Sequence, residues 1–321
     1  MLARVANSLF WTGRYLERSE YLSRYLKVQY FSTLNSPIVQ QREIILSSIL
    51  SMIGSEKDNF PGAREKVDEQ EVLVEVSFNL DNPNSILSSV TNARENARGI
   101  RNVLSTELWE VINRYYHFVN DYSIEYYKTR GLYDFTSNVI QNCSIIRSLI
   151  DSTLLHDDIW AFIRLGISVE KAAQTLRIIS NKLYDVEMLN LNDFDTPLQN
   201  YQWMVTLKIL ETYDMYRHRY RGISNQEHII MFLLCHPKLS RSLTYTLIEV
   251  SNILRRLSPG KMNHSNLAFQ AEKLASNFKF LEYKEIEGDL QGFLMTSLNK
   301  IYHLNELIER EYFNSTEISS N

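Results

Sequence analysis

Between Leu9 and Leu26 the chain reads LFWTGRYLERSEYLSRYL, and two kinds of chemistry are spaced into it. Glu17 and Glu20 stand one helical turn apart, so two carboxylates share a face, as a general base and its neighbour do. Arg14, Arg18 and Arg24 add guanidinium forks, which suit carboxylates and phosphates in two-pronged geometry. A second dense group follows at Arg94, Glu95, Arg98 and Arg101, its arginines recurring at spacings of four and three along one face. Smaller sets lie at Glu170, Lys171 and Arg177 and at His236 and Arg241. The basic-aromatic run Tyr216 to Arg221 reads first as a helix end that favours cations.

These side chains need a scaffold. At about 100° per residue, Leu2, Ala6, Leu9, Gly13 and Leu16 form an apolar stripe on the first helix. Further along, the same side carries Glu17, Glu20 and Arg24, flanked by Arg14 and Arg18. An ionised group away from water is costly unless paired. The helix therefore needs partners from a distant segment or faces a polar cleft. The expectation is that Glu17 and Glu20 meet Arg94 and Arg98 across the bundle in a buried network. The alternative leaves Arg94 to Arg101 a solvated face, with Glu17 and Glu20 paired locally to Arg24 and Arg18.

The 321 residues hold only 10 Gly and 6 Pro, a scarcity of breakers that favours long helices. The periodicity predicts an all-α bundle of roughly ten to eleven helices, packed antiparallel and joined by short loops. It forms one domain over 1–313, with halves at 1–155 and 156–313 and a disordered tail at 314–321. Helices are expected over 1–31, 38–53, 83–103, 107–129 (closed by Arg130-Gly131), 132–154, 158–184, 198–220, 223–235 (capped by Ser224), 238–257, 264–280 and 286–312. Gly54 to Gln70 reads as a loop, and Val72 to Phe78 as a short isolated extended piece.

Several function classes fall away. A formal net charge of −4 argues against a general binder of nucleic acid or anionic membranes. No apolar run reaches the roughly 20 residues of a membrane span. The N-terminus lacks the pattern of a signal peptide. Cys143 and Cys235 sit in apolar helical patterns outside any paired spacing and read as reduced core thiols, which points to the cytoplasm. No His-x-x-x-His or Glu-x-x-His occurs, so neither a metal nor a di-iron carboxylate site is expected. There is no glycine-rich phosphate loop and no Gly-x-Ser-x-Gly, and no cofactor is expected.

The chain echoes itself. GRYLERSEYLSR (Gly13 to Arg24) lies over GISVEKAAQTLR (Gly166 to Arg177), matching Gly13 with Gly166, Glu17-Arg18 with Glu170-Lys171, and Arg24 with Arg177. Glu20 has only Ala173 opposite it, so only the first segment offers two acids. This pattern suggests two related halves.

Four stretches carry a resemblance. They are MLARVANSLFWTGRYLERSEYLSRYL at the start, Asn82 to Asn113, Phe162 to Ala172, and HPKLSRSL from His236 to Leu243. Over nearly the whole chain they resemble the Alpha-E family of bacterial α-helical proteins with a Glu-Arg motif. Glu17 and Arg18 match that motif by position, as do Arg94, Glu95 and Arg98. The second acid-base pair is Glu-Lys where the family tends to Glu-Arg, and His236 stands where an acid is expected, which puts a site role for that loop in doubt. The resemblance implies genes beside a circularly permuted ATP-grasp ligase and a transglutaminase-like peptidase, and a part in making, attaching or trimming a peptide-like product.

Three readings stand at this point. The first is a non-catalytic partner of the ligase or transglutaminase-like protein, its charged cleft holding a carboxylate or phosphate of a peptide. The second is an enzyme acting on an amide or peptide, with Glu17 or Glu20 as general base and Arg98 as a clamp. In the third the charges only fix helix register.

Overall fold

The computed structural model describes residues 1–34, 39–54, 68–190, 196–221, 225–257 and 267–313. Among these there is no strand, and thirteen helices of eight residues or more carry the fold. They are α1 (Ala3–Leu34), α2 (Val39–Met52), α3 (Glu69–Phe78), α4 (Ile86–Gly99), α5 (Thr106–Asn120), α7 (Leu132–Thr153), α8 (Asp158–Asn190), α9 (Thr196–Ile209), α10 (Tyr213–Tyr220), α11 (Gln226–Cys235), α12 (Leu243–Leu257), α13 (Leu267–Lys279) and α14 (Leu290–Tyr312). A single turn, α6 (Ile124–Tyr126), completes the order.

Two helices organise the rest. With 32 and 33 residues and no internal proline, α1 and α8 each extend for about 50 Å. Both are buried on every side through their middles. From Thr12 to Leu26 only Tyr15 and Arg18 of α1 are partly exposed, and from Ala161 to Ser180 only Arg164 and Arg177 of α8. Their contacts join residues 152 to 156 positions apart along the whole pair: Arg18 with Glu170, Tyr21 with Thr175, Gln29 with Lys182 and Asp185. A nearly constant separation means that this central pair runs parallel. The offset that lays Gly13 over Gly166 falls inside the same range.

The pair crosses where it has no side chains. A Cβ on Gly13 would lie 2.2 Å from the Ile163 carbonyl oxygen, and one on Gly166 would lie 2.0 Å from that of Phe10. Backbone thus meets backbone in both directions, which only glycine permits. Around this axis α4 and α7 pack on α1, α12 and α14 pack on α8, and α2 and α9 each touch both. α5 closes against α4 and α7, and α13 against α12 and α14.

Local expectations needed correction in places. Val72 to Phe78 is helical, not extended. Asp68 caps α3 by accepting from the Gln70 and Glu71 amides, and Val72, Leu73 and Val76 form its buried stripe. The alternation of this stretch suits a strand almost as well, and the cap decides. The helix expected over 83–103 runs from Ile86, capped by Ser85, to Gly99, with a 3-10 turn at Arg101–Val103. The helix expected to reach Thr129 stops at Asn120. Ser123 starts a new turn there, and a π-helical turn, Tyr127–Gly131, leads straight into α7. Gly131 therefore continues a helical path instead of closing it. Leu2 is exposed ahead of α1. α11 is capped by Asn225, and α12 begins at Leu243 after a turn that holds Arg241. Most of the expected loop at 54–70, Ser224 and the tail at 314–321 lie outside the described residues.

Candidate functional site

The charges of α1 are buried as its pattern requires, and they separate into two centres. In the first, Glu170 of α8 is held by α1. Arg14 Nε donates to its Oε2 at 2.8 Å, and Arg18 Nε donates to Oε1 at 2.8 Å with Nη2 reaching Oε2 at 3.2 Å. Gln174 adds a fourth donor at 2.8 Å. The arginines' other nitrogens end on neutral amides, Arg14 on Asn305 of α14 and Arg18 on Asn84 before α4. Burial pushes the Glu170 carboxyl up, but Arg18 and Arg14 overrule it and hold the group well below the usual carboxylate range.

The second centre is assembled around Glu17 and Glu20, which are 1% exposed. Arg147, from α7, donates Nη2 to Glu17 Oε2 at 3.3 Å and to Glu20 Oε2. Arg241 donates Nη1 to Glu17 Oε1 at 3.1 Å, and its Nη2 lies 3.7 Å from Glu20 Oε1. Arg24 approaches Glu20 at 3.5 Å from one turn along α1. Glu211, in the turn between α9 and α10, joins Arg24 and Arg241. Its Oε2 accepts from Arg24 Nη1 at 2.5 Å and from Arg241 Nη2 at 3.0 Å. The Tyr21 ring backs both guanidiniums, whose carbons lie 4.6 and 5.2 Å from its centroid.

Lys171 completes this centre electrostatically. It is 8% exposed and makes no hydrogen bond or ion pair among the described residues. Burial drives its pKa down. Glu17 and Glu249 oppose that effect, while Arg241 and Arg147 reinforce it. For Glu17 burial pulls upward, but Arg147, Lys171, Arg241 and Arg24 bring the pKa from 4.5 to about 2. Four basic groups therefore surround three carboxylates that are bonded to the arginines among them, with Glu249 acting on Lys171 from further off. Arg24 Nε and Nη2 are buried without an acceptor. A crevice enclosing about 200 Å³ of empty space, its open mouth included, reaches the centre between Leu16, Glu17, Glu20, Cys143, Ile146, Arg147, Ile150 and Ile167.

The expected union of Glu17 and Glu20 with the Arg94 face does not form. α4 turns Ala93 and Ala97 inward, so Arg94, Glu95 and Arg98 point off its outer side, and Arg101 lies in the 3-10 turn beyond it. Arg94 bonds Asn113 at 3.1 Å and Glu95 at 2.5 Å and lies over the Tyr116 ring, Arg98 pairs with Glu95, and Arg101 is exposed. Arg177 joins neither centre: it donates to the Tyr302 hydroxyl of α14 at 2.6 Å. The purely local alternative fails as well: Glu20 does meet Arg24 but also pairs with Arg147 and Arg241 from distant segments, and Arg18 turns from Glu17 to Glu170.

Sequence reasoning missed Arg147 and Glu211. Arg147 did carry a signal: in CSIIRSLI it adjoins a stripe of Val139, Cys143, Ile146 and Ile150, all buried. Also missed was a third polar knot further along the central pair. Lys182 Nζ, fully buried, donates to Asp185, Gln202 and Gln29 at 2.9, 2.9 and 3.2 Å, and Ser48 and Gln29 also donate to Asp185. Burial raises the Asp185 carboxyl against the pull of Lys182.

Among the described residues no group of His, Cys, Asp and Glu can hold a metal ion, and no helix is long and apolar enough to cross a membrane. No curated protein and no solved structure matches the chain. A family model does, over residues 1–313, described as "a predicted alpha-helical domain with a conserved ER motif". Glu17-Arg18 is such a dipeptide, and it divides its charges: the acid enters the second centre and the base closes the first. On that match the chain belongs to the Alpha-E family.

Proposed function

We propose that this protein is a non-catalytic helical partner of an ATP-grasp peptide or amide ligase, and that its second centre binds a carboxylate- or phosphate-bearing group of the peptide that system handles. One observation carries the reading: among the described residues, buried donors of the second centre, Arg24 Nε and Nη2 and the Lys171 amine, have no acceptor. A guanidinium presents five N–H donors, and leaving a buried one unmade costs about 1–3 kcal/mol. An incoming anion supplies the acceptors. The choice of an ATP-grasp or transglutaminase-like partner rests on the family resemblance alone.

The same geometry disfavours the enzymatic reading. A general base works best with a pKa near the operating pH. Glu17, clamped by two arginines at about 2, is ionised but a very weak base. The architectural reading suits the first centre, where Glu170 takes four donors and no buried nitrogen of Arg14 or Arg18 lacks a partner.

The test is co-purification with the neighbouring ATP-grasp protein, then ligase turnover with and without this chain. The expected result is a complex and stimulated turnover. Lys171→Met leaves the complex intact and removes the stimulation, because Lys171 bonds no protein group that needs it. Failure to form any complex overturns the partner reading. Full stimulation by Lys171→Met overturns the anion site.

A further inference from the structure

We propose that Glu211 is an internal stand-in for the ligand's carboxylate, seated in the Arg24–Arg241 fork and displaced when that carboxylate binds. This inference rests on reading the second centre as an anion site, and it names the ligand group and the place where it docks.

Four features separate Glu211 from the other acids of the centre. It comes from a turn outside the two central helices. Its side chain is 51% exposed, whereas those of Arg24 and Arg241 are 3% and 10% exposed, so it reaches from the surface onto buried cations. It engages them through one oxygen only, Oε2, and uses a single nitrogen of Arg24. A free carboxylate in the same place can bridge Nη1 and Nη2 of Arg24, and Nη2, like Nε, lacks an acceptor while Glu211 occupies the fork. Finally, Glu211 has a φ of +55°, a left-handed conformation that is uncommon for a non-glycine residue. The turn itself is closed by backbone bonds, Glu211 N–H to the Lys208 carbonyl at 3.1 Å and Thr212 N–H to that of Leu207 at 2.8 Å, so it stays in place when the side chain leaves the fork. A planar carboxylate is favoured over phosphate because the fork already accepts one at 2.5 and 3.0 Å.

The test is chemical exchange on the full chain, using sodium acetate, inorganic phosphate and sodium chloride at matched ionic strength, followed by thermal unfolding. Glu211→Ala and the shape-preserving Glu211→Gln are compared with the unaltered protein. Acetate is expected to raise the Tm of both variants, with an apparent dissociation constant roughly tenfold below that of the unaltered protein, because an intramolecular competitor has been removed. Chloride is expected to do nothing. An equal acetate response in all three proteins overturns the role of Glu211 but leaves the anion site standing. A response to phosphate and none to acetate overturns the carboxylate assignment. No response to either anion in any protein overturns this inference and the anion site together.

Discussion

Replacing Glu17 by Gln keeps the side chain's shape and removes its charge. The carboxylate accepts from Arg241 at 3.1 Å and Arg147 at 3.3 Å, at a position 1% exposed. An amide there turns one hydrogen-bonding end from acceptor to donor and leaves the buried cations in excess. The pKa of Glu17, about 2 against 4.5, sets the size of the effect. At about 1.4 kcal/mol per unit, ionised Glu17 stabilises the fold by roughly 3 kcal/mol at neutral pH. Removing one partner of a buried ion pair typically costs about 3–5 kcal/mol, so the two routes agree.

The pH dependence adds a signature that a packing defect lacks. A carboxyl whose folded pKa is depressed contributes fully above its unfolded value of 4.5, progressively less as pH falls, and almost nothing near 2. Urea unfolding of both proteins should therefore show Glu17→Gln less stable by roughly 3 kcal/mol at neutral pH, with the gap shrinking as pH drops through that window. Glu95→Gln, on the outer face of α4, serves as control and should change stability by no more than about 0.5 kcal/mol. A Glu17→Gln loss within that same margin, or a gap that does not change with acid, refutes the buried network.

Gly13→Ala forces a methyl onto the Ile163 carbonyl, which backbone cannot vacate, and should cost about 3 kcal/mol or more by denaturant unfolding. The same change at Gly99, which has nothing within 4 Å, should be neutral or stabilise by up to about 1 kcal/mol. Asp185→Asn strands the fully buried Lys182 ammonium and should lower stability by about 3 kcal/mol, while the apolar pair Lys182→Met with Asp185→Leu should recover most of that loss in the same assay. Burial pushes the thiols of Cys143 and Cys235 up to about 12, so iodoacetamide at neutral pH should label Cys143 only as fast as the protein unfolds.

What could be read in advance was the cost, not the settlement. Glu17, Glu20 and Arg24 continue an apolar stripe, and that alone says that α1 buries charge and needs partners. Arg94 and Arg98 looked like those partners because their spacing is regular. Regular spacing, however, describes any helix face, and small Ala93 and Ala97 claimed the inner one. The actual partners came singly. Arg147 and Lys182 interrupt apolar stripes on α7 and α8, a legible signal. Glu211 was not legible, because it reaches the site through a left-handed turn that no side-chain pattern specifies. The strand expected at Val72 failed because the choice between periods of two and 3.6 was settled by the Asp68 cap.

The two centres differ because of what surrounds a shared frame. Along the parallel pair, Glu17-Arg18 and Glu170-Lys171 stand at the same offset as Gly13 and Gly166, so each acid lies near the base of the other helix. Two turns, each ending in a capping serine, deliver the residue before that serine inward. Before Ser85 that residue is Asn84, which accepts from Arg18, and before Ser242 it is Arg241, which donates to Glu17. A neutral amide both donates and accepts, and with Asn305 it satisfies the first centre without adding charge. Where Asn84 and Asn305 serve the first centre, Arg241 and Arg147 bring two more cations to the second. Glu20, opposite uncharged Ala173, answers one of them, and Glu211 answers from the surface. Lys171 is left without a bonded counter-charge. An asymmetry in the wrapping helices, not in the central crossing, therefore makes one centre a closed rivet and leaves the other with buried donors that have no acceptor, the feature on which the proposed anion site rests.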